Sequence, residues 1–169
     1  MATNRKNLVI TGAELLFTNF SGRESQYNRA GSRNFCVYID DPDLAKHLED
    51  QGWNIKEEYT EETDITRKYM QANVSYAYKE PTVVLVTRND QDEIVSSVKL
   101  TEKTIGQLDS LDIAFADMTL YPFPWEKGGR SGIKGYLNKM FVNVYQEDYL
   151  EKYGDLNLDD DDIPFYVDD

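Results

Sequence analysis

An alternating pattern runs through the segment Arg67-Lys68-Tyr69-Met70-Gln71-Ala72-Asn73-Val74-Ser75-Tyr76-Ala77-Tyr78. Its two sides differ in character, with Met70, Ala72, Val74 and Tyr76 on one and Arg67, Tyr69, Gln71 and Asn73 on the other. A period of two residues predicts a β-strand that buries one face and exposes the other. The segment is therefore predicted to be a half-buried strand with a polar, aromatic outer face.

Further strands follow from stretches rich in β-branched and apolar residues, at 8–17, 35–39, 82–87, 94–100, 113–120 and 133–145. Residues 82–87 and 94–100 are expected to pair as a hairpin. A helix is predicted from Asp41, a good N-cap, through Pro42 to Gly52. Shorter helices are predicted at 101–108 and 147–153. The glycine- and proline-bearing stretches 19–33 and 121–132 are predicted to be long loops.

These elements predict a mainly β fold with two or three short helices. The order of strands and helices lacks the βαβ rhythm of a parallel sheet. An antiparallel barrel or curled sheet fits best, and the oligonucleotide-binding (OB) barrel of five to six strands is the leading candidate. We expect one domain over residues 1–154, followed by an acidic, disordered tail over residues 155–169.

The composition fits a folded, soluble protein of the cytoplasm. A chain of 169 residues with 40% hydrophobic residues suffices for one core. The single cysteine, Cys36, cannot form an internal disulfide, which fits a reducing compartment. The sequence has no apolar run of membrane-spanning length, so no membrane partner is expected. No pattern in the sequence specifies an oligomeric state.

The net charge of −13 is unevenly distributed. The tail carries seven acids and no base, which leaves −6 for residues 1–154. Residues 41–64 are strongly acidic, whereas the stretches 21–35 and 127–139 are basic. Because local field decides where a polyanion binds, the overall acidity does not exclude a basic groove.

The two predicted loops and the alternating strand hold the candidate nucleic-acid contacts. Single-strand binding needs cations for the backbone and flat rings for the bases, and stacking contributes roughly 1–3 kcal/mol per base. The candidates are Arg23, Tyr27, Arg29 and Arg33 in the first loop, Arg67 and Tyr69 on the strand, and Trp125, Lys127, Arg130, Lys134 and Tyr136 around the second loop.

Structural roles compete with this interpretation. The loop arginines can be solvated or paired with acids such as Glu24 and Glu126, and Trp125 can pack beneath its own loop. Alternation assigns Tyr76, Tyr78 and Phe141 to the core. Catalysis is poorly supported, because His47 lies on the acidic helix and Cys36 lacks a cationic neighbour in sequence. No catalytic residue, metal site or cofactor is predicted.

Near the end of the tail, four consecutive acids, Asp159, Asp160, Asp161 and Asp162, are followed by the apolar segment Ile163-Pro164-Phe165, which we call the hook. The acids and the hook together resemble the C-terminal tip of bacterial single-stranded DNA-binding proteins. The resemblance implies a tail that recruits replication, recombination and repair enzymes such as a polymerase, helicase, nuclease or recombinase. In that family the phenylalanine is the last residue, whereas Tyr166 to Asp169 follow it here.

The body carries a second resemblance. It rests on Asn19-Phe20-Ser21-Gly22-Arg23-Glu24-Ser25, Asn28-Arg29, Gly31, Arg33-Asn34-Phe35, Gly52-Trp53 and Ser131-Gly132-Ile133-Lys134-Gly135-Tyr136-Leu137. Together these blocks resemble a family of tailed-phage proteins regarded as single-stranded DNA-binding proteins with an OB fold. The resemblance implies a phage protein that acts in the host cytoplasm.

Three functions remain as hypotheses. The first is a non-enzymatic protein that coats single-stranded DNA with little sequence preference during phage replication or recombination. The second is an acidic DNA mimic, an interaction or inhibitor module that binds no nucleic acid. The third, a metal-dependent nuclease, lacks a spaced acid cluster outside the tail.

Overall fold

The computed structural model describes residues 6–148, and within them nine strands form a single sheet. The strands are β1 (Leu8–Ala13), β2 (Leu15–Asn19), β3 (Arg33–Tyr38), β4 (Lys56–Thr60), β5 (Ile65–Val74), β6 (Thr82–Arg88), β7 (Ile94–Leu100), β8 (Phe115–Lys127) and β9 (Arg130–Tyr145). Helix α1 (Pro42–Gln51) and a 3₁₀ helix (Ile105–Ser110) complete the fold. The predicted mainly β, OB-like fold with short helices is confirmed.

The sheet curls around strand β9, which pairs along both edges. One edge pairs with β8, from Arg130 to Asn143. The other edge meets Trp53 at Ile133, then β5 at Gly135 and Tyr136, then β6 from Lys139 to Tyr145. Among the described strands, six of the eight pairs are antiparallel, and the two parallel pairs join β9 to β5 and to β6.

Helix α1 begins and ends as its sequence predicts. The Asp41 carboxylate accepts hydrogen bonds from the backbone N–H groups of Asp43 and Leu44, and Pro42 occupies the first turn. Gly52 ends the helix with a φ of 107°, a left-handed conformation that favours glycine. The helix buries Ala45 and Leu48 and places Trp53 against the sheet.

Glycine at position 135 allows the Trp53 ring to pack against β9. A Cβ atom at Gly135 would lie 2.8 Å from Cζ3 of Trp53, closer than a carbon contact allows. Trp53 is 5% exposed and belongs to the core, together with Met70 and Leu120. Because Gly135 has no side chain, Trp53 at the end of α1 can pack against the centre of the sheet.

The predicted loop at 121–132 is wrong, because this stretch is a β hairpin. Strand β8 continues through Lys127, and β9 starts at Arg130. Gly128 and Gly129 make the two-residue turn with φ values of 59° and 80°. Pro122 and Pro124 are two residues apart, so both ring nitrogens face the same edge of β8, the edge away from β9. Among the described residues, β1 pairs with this edge only as far as Leu120, so the missing N–H groups leave no ladder bond unmade.

Other differences concern the lengths of elements and the core. The predicted strand 8–17 is divided at Glu14 into β1 and β2, and the predicted helix 101–108 is a 3₁₀ helix further along the chain. Tyr78 is 97% exposed, because β5 ends at Val74, so its assignment to the core is wrong. Residues 146–148 are helical, and the rest of the predicted 147–153 helix lies outside the described residues, as does the tail at 155–169.

Phe141 is also wrongly assigned to the core, since it is 39% exposed. The β8–β9 register changes from Leu120↔Leu137 to Thr119↔Lys139, which leaves Asn138 as an extra residue. The bulge moves the buried positions of β9 from Ile133 and Leu137 to Met140 and Val142. Unbroken alternation from Ile133 would have buried Phe141.

We predict that Gly135→Ala lowers the free energy of unfolding by about 1–3 kcal/mol, because its Cβ overpacks the Trp53 ring. Urea denaturation followed by circular dichroism measures this change. Ser131→Ala, an exposed substitution in the same strand, serves as the control and should change stability by less than about 0.5 kcal/mol. Equal stabilities of the two variants would contradict the packing argument.

Candidate nucleic-acid interface

The outer face of the hairpin carries aligned aromatic and basic side chains. Register pairs Tyr121 with Tyr136, Phe123 with Lys134, Trp125 with Gly132 and Lys127 with Arg130. Buried Leu120, Ile133 and Leu137 show that the opposite face points into the core. We call these eight outward residues the hairpin ladder. It runs from stacked tyrosines to a basic tip.

The rings of the hairpin ladder hold one another in place. Tyr121 and Tyr136 stack with centroids 5.6 Å apart and planes inclined by 18°. Phe123 meets Tyr136 edge to face at 5.7 Å and remains 52% exposed. Burial, and secondarily the neighbouring Tyr136, raises the pKa of Tyr121. The cluster thus presents ring surface to solvent on a rigid strand pair.

Trp125 packs against its own hairpin and keeps part of its ring exposed. It packs on Gly132, where a Cβ would lie 3.0 Å from ring atoms of the indole. The indole is nevertheless only half-buried and lines a cavity of about 660 Å³ together with Gln71, Asn73, Arg130 and Lys134. One ring face therefore meets the backbone while part of the ring borders open space.

The cations of the hairpin ladder are unpaired. Lys127, Arg130 and Lys134 are exposed, and within residues 6–148 none of them forms an ion pair. Glu126 faces Ser131 in the register and is therefore on the opposite side of the hairpin from Trp125. The tip accordingly keeps a positive field on its outer face.

The outer face of β5 connects the hairpin to the first loop. Tyr69, Gln71 and Asn73 point outward, while Met70, Ala72 and Val74 are buried as predicted. Three cavities adjoin along this face, because one pair shares Gln71 and another pair shares Asn73. The structure therefore brings the hairpin, β5 and the first loop to one surface.

The first loop is braced from inside and displays its cations outside. Asn28 donates through Nδ2 to the carbonyls of Arg23, Arg29 and Ser32, at 2.7–3.2 Å. The Asp109 carboxylate accepts hydrogen bonds from the N–H groups of Phe20 and Ser21. Arg23 and Arg29 are exposed, and Tyr27 is 90% exposed.

Two predicted arginines have acidic partners. The guanidinium of Arg67 bonds to Asp40 at 2.8 Å and to Glu14 at 3.3 Å, and it lies 3.4 Å from the centre of the Tyr38 ring. The hydrogen bond to Asp40 raises the pKa of Arg67 further above its usual value. Arg33 lies 3.6 Å from Glu102.

The Tyr38 hydroxyl donates a hydrogen bond to the Glu58 carboxylate, which raises the pKa of Tyr38 to about 12.

Several aromatic residues on this surface were missed from sequence. Phe17 is 61% exposed and meets Tyr69 edge to face at 5.7 Å. Tyr121 and Phe123 were missed because residues 121–132 were interpreted as a loop. Their spacing with Trp125 at every second residue was the available signal.

Other sites are absent from the described part of the chain. Within residues 6–148, no three His, Cys, Asp or Glu side chains gather as metal ligands would. Burial raises the pKa of the Cys36 thiol to about 11, which keeps it protonated near neutral pH. No helix among these residues is long and apolar enough to cross a membrane.

A curled OB-like sheet with an exposed aromatic and basic face is typical of the proteins that bind nucleic acids. The family model described as "Putative phage ssDNA-binding domain" matches residues 1–168. The chain therefore belongs to this family of phage single-stranded DNA-binding proteins. No curated protein sequence is significantly similar to it.

The chain also matches solved structures of phage proteins. The single-stranded DNA-binding protein from bacteriophage Enc34 matches with a TM-score of 0.50 and 10% identity, over 92% of this chain and 88% of that chain. The same protein in complex with ssDNA matches with a TM-score of 0.48 and 8% identity, over 80% and 85%. Bacteriophage T7 gp2.5, a single-stranded DNA-binding protein, matches with 0.38 and 8% identity, over 97% and 100%.

We predict that Asn28→Ala loosens the first loop, because the variant cannot make the Nδ2 hydrogen bonds to three loop carbonyls. A decrease of about 1–2 kcal/mol in local stability corresponds to amide exchange roughly five- to thirtyfold faster in residues 22–32. Hydrogen exchange read by mass spectrometry tests this. Gln26→Ala, which removes an exposed side chain of the same loop, is the control and should leave exchange unchanged. Unchanged exchange in the Asn28 variant would show that the loop is held by other contacts.

Proposed function

We propose that this chain binds single-stranded DNA without catalysing a reaction on it. It would coat exposed strands with little sequence preference during phage DNA replication and recombination in the host cytoplasm. The hairpin ladder carries this proposal, since it places exposed rings and unpaired cations on one rigid surface. Membership of the phage single-stranded DNA-binding family supports the same ligand.

The chemistry of the surface favours unpaired over paired DNA. Bases in a duplex stack on each other and offer only their edges, whereas an unpaired base can stack on an aromatic side chain. Phe123, Trp125 and Tyr136 provide ring surface beside the cations Arg130 and Lys134. Stacking tolerates any base, so this surface supports binding with little sequence preference.

The first loop extends the proposed interface across the sheet. Tyr27 and Tyr69 line a cavity of about 330 Å³ that shares Gln71 with the hairpin cavity. Arg23 and Arg29 supply exposed cations near this end. The proposed strand path therefore runs from the hairpin tip across β5 to the first loop. Arg67 takes little part in it, because Asp40 and Glu14 already neutralise its charge.

The tail completes the proposal from sequence alone. Asp159 to Asp162 and the hook of Ile163, Pro164 and Phe165 would recruit replication or recombination enzymes. The same acids would also compete with DNA for the cations of the body, since the tail and the interface belong to one chain.

The test is a fluorescence anisotropy titration of a labelled oligo(dT), with and without Mg²⁺. We expect binding without cleavage, and a lower affinity for the variant Arg130→Ala/Lys134→Ala. When log affinity is plotted against log salt concentration, the slope for this variant should be shallower than the wild-type slope by about 0.7 for each phosphate that the variant no longer neutralises. The cause is that fewer counterions are released from the DNA on binding.

The control for this variant changes the net charge equally. Lys46→Ala/Lys99→Ala removes two exposed cations, on α1 and β7, that belong neither to the hairpin ladder nor to the lining of its cavity. Equal decreases in affinity for both double variants would place the interface elsewhere. No binding by the wild-type chain would favour the acidic interaction module, and cleavage that requires Mg²⁺ would favour a nuclease.

Deleting residues 155–169 is expected to tighten binding to oligo(dT) at low salt, because seven negative charges are removed. The increase in affinity should shrink as added salt screens the competition. Anisotropy titrations of both chains over a salt series measure it. Unchanged or weaker binding after the deletion would rule out competition by the tail and leave DNA binding by the body in place.

A further inference from the structure

A cavity of about 430 Å³ lies between the first loop and the hairpin ladder. Arg33, Asn73, Ser75, Tyr76, Glu102 and Tyr136 contribute to its lining. Asn73 also lines the hairpin cavity, and Tyr136 belongs to the aromatic cluster. If the bases of a DNA strand stack on the hairpin ladder, the sugar-phosphate backbone of that strand would therefore run beside this cavity.

The Arg33 guanidinium lines this cavity with most of its hydrogen-bonding capacity unused. Its Nε is buried and has no partner. Nη2 donates to the carbonyl of Glu102 at 3.5 Å, and Nη1 lies 3.6 Å from the Glu102 carboxylate, too far for a hydrogen bond. The side chain is 19% exposed, and Nε is its only nitrogen that is both fully buried and without a partner. A guanidinium offers five donors, and this one makes a single long hydrogen bond.

Tyr76 adds a second unsatisfied group to the same cavity. Its hydroxyl is buried and has no hydrogen-bond partner. The Arg33 guanidinium carbon lies 5.6 Å from the centre of the Tyr76 ring, which holds the two side chains together. Both groups can donate to an anionic oxygen. Buried polar groups are nearly always paired, so the two unpaired groups that line this cavity make it a candidate anion site.

Arg67 shows how a partly buried arginine of this sheet is satisfied when its role is structural. Its side chain is 29% exposed, comparable to Arg33, yet it bonds to Asp40 at 2.8 and 3.1 Å and contacts Glu14 at 3.3–3.4 Å. The fold thus provides close carboxylates for one arginine and a single distant one for the other. Glu102 is 57% exposed, so it can move away from Arg33 at little cost.

We propose that the Arg33 cavity binds one phosphate of the DNA backbone and that Glu102 is the loose ion-pair partner of the guanidinium in the free protein. This rests on the proposed single-stranded DNA binding and assigns one contact within it. The phosphate displaces Glu102 and accepts two parallel hydrogen bonds from the guanidinium. Glu102 thereby acts as an internal competitor for the strand.

The experiment is a double-mutant cycle between Arg33→Gln and Glu102→Gln, read by oligo(dT) anisotropy over a salt series. Arg33→Gln should weaken binding about tenfold or more and lower the salt slope by about 0.7. Arg33→Lys keeps the positive charge but lacks the planar guanidinium that forms two parallel hydrogen bonds. It should therefore keep the salt slope of DNA binding and lose part of the DNA affinity. Thermal unfolding of each variant verifies that the fold is intact.

Glu102→Gln should strengthen binding about two- to fivefold at low salt when Arg33 is present, and should have no effect on the Arg33→Gln background. Glu24→Gln is the control, because it removes an exposed carboxylate that forms no ion pair among the described residues. Equal increases in affinity from both substitutions would show a general field effect and overturn the competition by Glu102.

The outcomes separate this site from the function itself. If the wild-type chain binds oligo(dT) and Arg33→Gln has the same affinity and slope, the phosphate site is wrong while the DNA-binding function stands. If the wild-type chain does not bind, both proposals fail. If the slope falls with Arg33→Gln and stays with Arg33→Lys, the site is supported.

Discussion

The pairing of β9 along both edges is the constraint on which the rest of the structure depends. Sixteen residues of one strand hold β8 on one side and Trp53, β5 and β6 in succession on the other. The sheet curls around this strand, and α1 lies against β9 through Trp53. Gly135 permits this, because any side chain there would collide with Trp53. The curl also sets the outer faces of β5 and the hairpin beside each other, which is where the three cavities adjoin.

The same sheet separates charge in space. The acids of residues 41–64 lie on α1, β4 and the turn to β5, whereas the hairpin tip and the first loop carry exposed cations. Arg67 and Lys68, which lie nearest the acidic end, are paired with Asp40, Glu14 and Glu49. Structural ion pairs therefore occupy Arg67 and Lys68 and leave the cations of the hairpin tip available. An acidic protein can in this way present a local positive field to a polyanion.

Local chemistry predicted the elements that depend on neighbouring residues. Asp41, Pro42 and Gly52 define α1 through backbone hydrogen bonds and a left-handed φ, and these act within a few residues. The alternation at Met70, Ala72 and Val74 needs only a buried face. The hairpin could not be predicted in the same way, because Pro122 and Pro124 indicate a loop until it is known that their nitrogens face an edge without a described partner. The exposure of Phe141 could be predicted only from the position of the bulge at Asn138. That position is a property of the β8–β9 pairing and not of either strand alone.

The candidate site shows the same division between local pattern and tertiary partner. Sequence composition identified Arg23, Arg29, Arg33 and Arg67 alike as cations, and nothing in their immediate neighbours distinguishes them. Their environments differ because Glu14 and Asp40 reach Arg67 closely from other segments, whereas Glu102 stays 3.6 Å from Arg33. A guanidinium with short bonds to two carboxylates gains little from a phosphate, since it must give up bonds of similar strength. A guanidinium that is mostly buried and poorly bonded gains nearly all of the new interaction. The number of hydrogen bonds already made, more than the charge, therefore distinguishes Arg33 from Arg67 as a candidate for anion binding.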